Sequence, residues 1–200
     1  MNILVLGGGG REHAIAWRLA QSPSAAKIWA APGNPGIAAV AECIKPPDST
    51  PDGFLHVADR IGADLTVVGP EAPLVTGVVD RFRQEGRLIV GPTESAARLE
   101  GSKIFAKEAM IRFGVPTAGY AVVATYEEAV TVLGRFSYPV VLKADGLAAG
   151  KGVLIVNDRQ EALKTVEGLL SGAIVGSAGS RIVIEEFLAG EEVSFIGLSD

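Results

Sequence analysis

Two glycine-rich segments hold the residues best suited to bind phosphate, and the first of them is Gly7-Gly8-Gly9-Gly10. It follows the apolar run Ile3–Leu6 and precedes residues that favour a helix. Backbone N–H groups at the start of a helix attract anions, so this position favours a phosphate. Arg11 would add a charge-assisted contact to the same phosphate, or lie in solvent as first-turn arginines commonly do. His13, one turn further on, is expected to pack or cap rather than act as an acid or base.

A dinucleotide cofactor and a purely structural tight turn are the alternatives for this segment. A dinucleotide site needs an acidic residue roughly 20 positions further on, at the end of the second strand, to hold the ribose hydroxyls. That place is occupied by Ala30-Ala31-Pro32, which has no carboxylate. The sequence therefore favours a phosphate-bearing substrate over NAD or FAD, and it speaks against a nicotinamide-dependent oxidoreductase.

Two further segments, Pro32–Gly36 and Gly69–Leu74, follow apolar runs and are predicted to be loops. In an open parallel sheet, loops at the carboxyl ends of the strands converge on one crevice, so both are expected near the first glycine segment. Glu71 would there face a substrate amine or hydroxyl; the alternative is a turn carboxylate in water.

The second glycine-rich segment, Gly146–Gly152, lies between two predicted strands. It is not a P-loop, because only three residues separate Gly146 from Gly150 and Lys151 is followed by Gly152. Its N–H groups and Lys151 are suited to close over phosphates as a glycine-hinged lid. Lys143 follows an apolar run, and phosphate is a natural partner for an ammonium at the edge of a buried site.

Other charged residues are less informative by themselves. Lys103 and Lys107 lie four apart on one predicted helix, where they would reach a nucleotide or face solvent. The acidic residues near the C-terminal end are typical of solvated acids around a turn, with metal ligation as the rival interpretation. These are Glu185, Glu186, Glu191 and Glu192.

The elements that must position these residues alternate between strand and helix. Short apolar runs, each followed by glycine or proline, predict a parallel sheet in residues 1–101. Residues 102–200 predict β-then-α units, in which Ser102 caps one helix and two further helices begin with capping-box spacing, at Thr125 with Glu128 and at Asp158 with Glu161. Val153–Val156 is predicted to pair with Pro139–Lys143 as a hairpin. We therefore predict two α/β domains, 1–101 and 102–200.

Net charge, cysteine content and the length of apolar runs argue against a nucleic-acid-binding protein and against a membrane protein. The chain has 200 residues, a formal net charge of −5 and a single cysteine, Cys43. No basic stripe is available for nucleic acid, no internal disulfide is possible, and no apolar run approaches the roughly 20 residues that span a bilayer. The N-terminus lacks the pattern of a signal peptide. We expect a cytoplasmic protein without nucleic-acid or membrane partners.

Six segments in register resemble one enzyme family, phosphoribosylamine-glycine ligase. They are Gly8–Ala14, Pro32–Asn34, Val68–Leu74, Leu99–Lys103, Lys143–Gly152 and Ile184–Leu188. The resemblance spans the whole chain and implies an ATP-grasp enzyme of purine biosynthesis: a Rossmann-like N-terminal domain, then a small α+β subdomain that clamps ATP. It also implies ligation of glycine to 5-phosphoribosylamine through glycyl phosphate. Related carboxylate-amine ligases such as biotin carboxylase are the rivals, but they are not expected to share Arg11–Ala14 together with Gly69–Leu74.

The resemblance also implies roles for individual residues. The ATP-binding set is Lys103, Lys143, Gly146, Gly150, Lys151, Gly152, Glu185, Glu186, Phe187, Leu188 and Glu192. Of these, Glu185–Leu188 would hold adenine largely through main-chain atoms, and Glu192 would hold the ribose hydroxyls. The set for phosphoribosylamine is Gly8, Gly9, Gly10, Arg11, Asn34 and Glu71. Family members continue well past this length, with the catalytic residues and the ligands for Mg²⁺ or Mn²⁺ in the later part. We therefore expect a truncated, monomeric chain that does not turn over alone.

Overall fold

The computed structural model describes residues 1–146, 152–176, 180–195 and 197. The chain forms two compact units, Met1–Gly101 and Ser102–Asp200. None of the helices among the described residues is long and apolar enough to cross a bilayer.

A five-stranded parallel sheet forms the centre of the first unit. Its strands are β1 (Asn2–Gly7), β2 (Lys27–Pro32), β3 (Glu42–Cys43), β4 (Leu65–Val68) and β5 (Ile89–Val90). They lie in the order β3-β2-β1-β4-β5, and every neighbouring pair is parallel. This order is that of a Rossmann-like doubly wound sheet, in which the chain reverses its direction of progress between β1 and β4.

Helices cover both faces of this sheet. They are α1 (Gly10–Ala20), α2 (Pro51–Ile61), α3 (Glu71–Val75), α4 (Val78–Gln84) and α5 (Glu94–Gly101), with a 3-10 turn at Ile37–Ala39. Leu4 and Leu6 pack into the apolar core with α2 and α4, whereas Val5 packs on the opposite face with α1. Fully burying such a side chain stabilises the fold by about 1.5–3 kcal/mol. The continuous apolar run of β1 is therefore explained by burial on two faces.

One sequence expectation for this unit is wrong. The segment Gly69–Leu74 is not a loop throughout, because Glu71–Val75 forms the short helix α3. Pro70 is its N-cap residue and Pro73 lies in its first turn. The N–H groups of the first helical turn have no carbonyl partner within the helix, so proline, which lacks an N–H, is tolerated there. A proline-rich segment is therefore compatible with the start of a helix.

A four-stranded antiparallel sheet forms the centre of the second unit, as far as the structure describes it. Its strands are β6 (Tyr120–Val123), β7 (Val140–Ala144), β8 (Val153–Val156) and β9 (Ile182–Glu186), in the order β6-β9-β7-β8. The helices are α6 (Lys103–Arg112), α7 (Tyr126–Leu133) and α8 (Arg159–Leu170). The predicted pairing of β7 with β8 is confirmed.

The two faces of this second sheet differ in chemistry. Leu142 and Ile184 lie on the face that packs against α7 and α8 in a closed apolar core. Side chains alternate between the faces of a strand, so Lys143 and Glu185 lie on the other face. The sheet thereby separates the closed apolar core from a face that carries charged side chains.

The predicted helix caps of the second unit are confirmed. The hydroxyl of Ser102 accepts a hydrogen bond from the Phe105 N–H at 3.1 Å. Thr125 and Glu128 form a reciprocal capping box at the start of α7. Asp158 accepts from the Glu161 N–H at 2.9 Å at the start of α8. The predicted fold class, a Rossmann-like parallel domain followed by a small α+β unit, is confirmed as well.

Candidate nucleotide and substrate sites

In the first unit, the candidate site residues follow the strands at which the sheet changes direction. β1 leads into Gly7–Gly10 and β4 leads into Gly69 and Glu71. The register pairs Leu6 with Val68 in β4 and Gly7 with Pro32 in β2, so the carboxyl ends of three strands lie side by side. Ligands of open α/β sheets bind at such a switch point.

A buried carboxylate organises the first glycine segment. Glu12 is only 3% exposed, and its Oε2 accepts a hydrogen bond from the Gly9 N–H at 2.6 Å. A Cβ atom on Gly69 would come within 2.2 Å of Glu12 Oε1, and one on Gly7 within 2.6 Å of its Cγ. These glycines are therefore needed because the Glu12 side chain occupies the space that a Cβ atom would take.

Arg11 lies between two carboxylates. Its Nε donates to Glu12 Oε1 at 3.1 Å, and both terminal nitrogens donate to Glu71 Oε1 at 3.4 Å. The hydrogen bond to Glu12, reinforced by the charges of both glutamates, raises the pKa of the Arg11 guanidinium above its usual value. The sequence predicts Arg11 and Glu71 in one candidate site, and in the structure their side chains are hydrogen-bonded to each other.

Asn34 and His13 act within the protein. The Asn34 amide nitrogen donates to the Gly8 carbonyl at 2.9 Å, and its oxygen accepts from the Ile37 N–H at 2.8 Å. The amide therefore ties the loop after β2 to the glycine segment. His13 packs against Gly36, where a Cβ atom would lie 2.8 Å from the imidazole Cε1. This agrees with a packing role for His13.

An apolar cleft opens at the same edge of the sheet. It has a volume of about 390 Å³. Its walls include Gly7, Pro32, Phe54, Pro70 and Pro73. A site of this kind, largely apolar with a few polar groups nearby, is typical of small-molecule binding.

In the second unit, three charged side chains meet on the polar face of the sheet. Lys143 Nζ lies 2.9 Å and Lys107 Nζ 3.0 Å from the same oxygen, Glu185 Oε2. Lys107 and Glu185 are buried, with 6% and 4% of their surface exposed. Two ammonium groups against one carboxylate leave an excess of one positive charge, which favours an anionic ligand.

A second set of contacts joins the start of α6 to the end of β7. Asp145 Oδ1 accepts from the Ser102 hydroxyl at 3.0 Å and from the Ile104 N–H at 3.3 Å, and Oδ2 accepts from Arg181 at 2.8 Å. Lys103 Nζ donates to the Gly146 carbonyl at 2.9 Å. Lys103 is thus held at the start of the second glycine-rich segment.

The remaining ATP-binding candidates fall into two groups. Gly146 and Gly152 are the described ends of the glycine-rich segment, and the Gly152 carbonyl accepts from the Ala144 N–H at 2.8 Å. Gly150 and Lys151 lie outside the described residues. The others follow one another at and after the end of β9 and are exposed: Glu186, Phe187, Leu188 and Glu192.

The structure corrects the sequence interpretation of three charged residues. Glu185 is not a solvated acid, and Lys107 does not face solvent. The Lys143 ammonium already has a protein partner, Glu185, although 28% of its side chain remains exposed. Glu12 was missed as an organising residue, and its sequence signal is the capping-box spacing of three from Gly9.

A resident divalent cation does not fit the described residues. Among residues 1–146, 152–176, 180–195 and 197, no group of three or more His, Cys, Asp or Glu side chains lies close enough to hold a metal ion. Hard cations such as Mg²⁺ need several oxygen ligands converging on one point. The residues that the structure describes therefore do not form such a centre by themselves.

Family comparison agrees with this two-part organisation. The family model for the N domain of phosphoribosylglycinamide synthetase matches residues 1–100, and that for its ATP-grasp (A) domain matches residues 101–200. The chain belongs to the phosphoribosylglycinamide synthetase family. Within this family, the first candidate site lies in the N domain and the lysine-glutamate cluster lies in the ATP-grasp domain.

Two relatives with the name phosphoribosylamine-glycine ligase are similar to this chain over nearly its whole length. A phosphoribosylamine-glycine ligase from Xanthomonas campestris is 53% identical over 100% of this chain and 47% of its own length. A solved phosphoribosylamine-glycine ligase from Thermotoga maritima is 34% identical with a TM-score of 0.79, covering 96% of this chain and 45% of that one. The chain thus spans about half the length of these relatives.

A more distant likeness shows the fold alone. The biotin carboxylase domain of Hydrogenobacter thermophilus 2-oxoglutarate carboxylase, solved with MgADP, ADP and bicarbonate, has a TM-score of 0.73 at 20% identity. It covers 94% of this chain and 44% of that one.

Proposed function

We propose that this protein takes part in the ATP-dependent ligation of glycine to 5-phosphoribosylamine, which yields glycinamide ribonucleotide, ADP and phosphate. Family membership and the names of the 53% and 34% identical relatives support this proposal. The observation that carries it is the excess positive charge at Lys107, Lys143 and Glu185, beside a glycine-rich segment. A cytoplasmic location and a monomeric state belong to the same proposal.

The proposed reaction has two steps. A carboxylate oxygen of glycine attacks the γ-phosphorus of ATP, the bond to the β-phosphate oxygen breaks, and glycyl phosphate and ADP form. The amine of phosphoribosylamine then attacks the acyl carbon, phosphate leaves, and the amine loses a proton. Charge accumulates on phosphate oxygens in the first step, so preorganised cations that bind them lower its barrier.

The second unit supplies residues suited to the nucleotide. We assign Lys103 and Lys143 to the phosphates. Lys103 stands at the start of the glycine-rich segment, and Lys143 keeps a partly exposed side chain beside a buried carboxylate. The segment Gly146–Gly152 is assigned to cover the phosphates and exclude water from the acyl phosphate. Glu185–Leu188 would hold adenine largely through main-chain atoms, and Glu192 would hold the ribose, as the family resemblance implies.

The first unit supplies residues suited to phosphoribosylamine. Gly8, Gly9 and Gly10 stand at the N-terminus of α1, where N–H groups of the first turn have no carbonyl partner within the helix. The Gly9 N–H is already bonded to Glu12, which fixes the course of the segment. Arg11 and Glu71 together offer a cation and a carboxylate, which suit a phosphate or hydroxyl and an amine. Asn34 is assigned to hold the loop in place, since both polar atoms of its amide bond to the backbone.

A chimaera tests this function directly. The part of the Xanthomonas campestris relative that matches this chain is replaced by the 200 residues, and product formation is measured. We expect glycinamide ribonucleotide only when ATP, glycine and phosphoribosylamine are all present. The change Lys143→Met in the chimaera should lower kcat/KM by about 10²-fold or more, the usual effect of removing one charge-stabilising group.

The matched control for that experiment is Lys164→Met, which removes an exposed lysine of α8. It should leave the rate unchanged. A folded chimaera that makes no product, or one that keeps full activity without Lys143, would contradict the proposed function.

A further inference from the structure

Lys107 is a buried cation to which the proposed reaction assigns no contact with a ligand. Its ammonium donates to Thr117 Oγ1 at 2.7 Å and to the Ala118 carbonyl at 3.2 Å, and it lies 3.0 Å from Glu185 Oε2. An ammonium has three N–H donors, so these three contacts use them all. The Tyr120 ring lies 5.5 Å away. Lys107 therefore has no donor left for a ligand.

Lys143 differs from Lys107 in its exposure to solvent and in the number of its N–H donors that are in use. Its side chain is 28% exposed, compared with 8% for Lys107. Among the residues that the structure describes, its ammonium has one hydrogen-bond partner, Glu185 Oε2. Two of its donors thus remain available, and Lys143 is the member of the pair that can reach a phosphate.

Glu185 connects the two lysines. Both ammonium groups share its Oε2, while its Oε1 is buried without a hydrogen-bond partner in the described part of the chain. The two lysines are consequently what holds this carboxylate in place. If Lys107 were neutral, Glu185 would balance the charge of Lys143 alone, and the excess of one positive charge would vanish.

We propose that Lys107 is a positioning residue that acts through Glu185. It takes up part of the charge of that carboxylate and fixes its orientation, so that Lys143 stays in place with a surplus of positive charge for a nucleotide phosphate. This inference rests on the proposed nucleotide site, and it adds a specific role for a residue that does not touch the ligand.

A charge-balance experiment tests this role. The dissociation constants of ADP with Mg²⁺ and of inorganic tripolyphosphate are measured by calorimetry on the 200-residue chain. We expect Lys107→Met to weaken both about tenfold, because a unit charge within a few ångströms of a partly buried partner is worth this much or more. Lys107→Arg keeps the charge and should stay within about threefold of the wild type.

The double variant Lys107→Met with Glu185→Gln separates the charge-balancing effect of Lys107 from a purely structural role. It removes one positive and one negative charge, which restores the excess of one on Lys143. We expect its affinity to return to within about threefold of the wild type. If Lys107→Met acted only by disturbing the structure, the loss of affinity would persist or increase in the double variant. Lys164→Met serves as the control and should not change either affinity.

Several results would overturn the inference. One is a Lys107→Met variant that binds both ligands like the wild type, and another is a double variant that binds no better than Lys107→Met. Circular dichroism verifies folding, and Lys107→Gln, which retains a donor for Ala118, replaces Lys107→Met if the latter does not fold.

Failure of the nucleotide site itself would look different. If the wild type bound neither ADP nor tripolyphosphate, the nucleotide site assigned to this chain would be contradicted, and crystal structures would decide the role of Lys107. In Lys107→Met we expect the Glu185 carboxylate to rotate so that both of its oxygens accept hydrogen bonds from the Lys143 ammonium. An unchanged Glu185 and Lys143 would refute the positioning role.

Discussion

Within the glycine segment Gly7–Gly10, neighbouring positions differ in how closely the rest of the chain approaches them. A Cβ atom on Gly8 would come within 2.5 Å of the Gly33 carbonyl oxygen, which is backbone and cannot swing aside. A Cβ atom on Gly10 would meet nothing within 4 Å. The same residue type therefore serves close packing at one position and helix initiation two positions later.

This difference predicts opposite effects of the same substitution. Gly8→Ala should lower the free energy of unfolding by about 1–3 kcal/mol, as overpacking does. Gly10→Ala should leave it unchanged or raise it by about 0.5–1 kcal/mol, because alanine loses less conformational entropy in a helix. Urea unfolding followed by tryptophan fluorescence measures this, since both tryptophans, Trp17 and Trp29, lie in the first unit. Equal effects of the two changes would contradict the close approach of Gly33.

At the scale of elements, helix starts are set by side chains that bond to backbone N–H groups. Thr125 accepts from the Glu128 N–H at 3.2 Å, and Glu128 Oε2 accepts from the Thr125 N–H at 3.2 Å. These contacts satisfy donors that the first turn of α7 leaves without helical partners. The boundary of α7 is thus determined locally.

Thr125→Ala should destabilise α7 by about 1 kcal/mol, the usual cost of losing an N-cap side chain. Thr131→Ala is the matched control, because Thr131 is an exposed threonine inside the same helix whose hydroxyl bonds back to the Glu127 carbonyl. Alanine favours the helix interior, so Thr131→Ala should slow the amide hydrogen exchange of α7 or leave it unchanged. Hydrogen exchange of peptides from α7 should accelerate only in Thr125→Ala. Similar acceleration in both variants would show that the cap is not what holds the helix start.

At the scale of the whole molecule, charge is distributed unevenly. The chain has a formal net charge of −5, yet Lys107, Lys143 and Glu185 form a local excess of positive charge. An anionic ligand would be repelled weakly at long range and attracted strongly at contact. Salt screens exposed charges over about 10 Å at 0.1 M but affects partly buried groups much less.

ADP binding should therefore depend only weakly on salt. Between 50 and 200 mM NaCl, we expect the dissociation constant to rise less than about threefold, because the main cation contacts are partly buried. A surface patch of the kind that binds DNA loses about 10³–10⁵ in affinity over the same range. Calorimetry at four salt concentrations measures the slope. A loss of about tenfold or more would mean that exposed cations elsewhere carry the binding.

Much of the fold was predictable because its signals are local. Apolar runs ended by glycine or proline mark the strands, and cap residues mark the starts of α6, α7 and α8. The start of α3 was missed, since Pro70 and Pro73, on either side of Glu71 and Ala72, are typical of a loop when the helix is only five residues long. Four candidate site residues were also recognisable from their place in the sequence: Lys103, Lys143, Arg11 and Glu71.

The amino-acid sequence by itself determined the order and type of most elements, because propensity, capping and side-chain period act within a few residues. Only the tertiary structure decided which charges meet. The register of β7 with β9 pairs Val141 with Glu185 and so brings Lys143 next to that carboxylate. Lys107 becomes buried because Thr117, Ala118 and Glu185 surround it from other parts of the chain. No local rule sets such pairings, since their energy exists only once the sheet has formed.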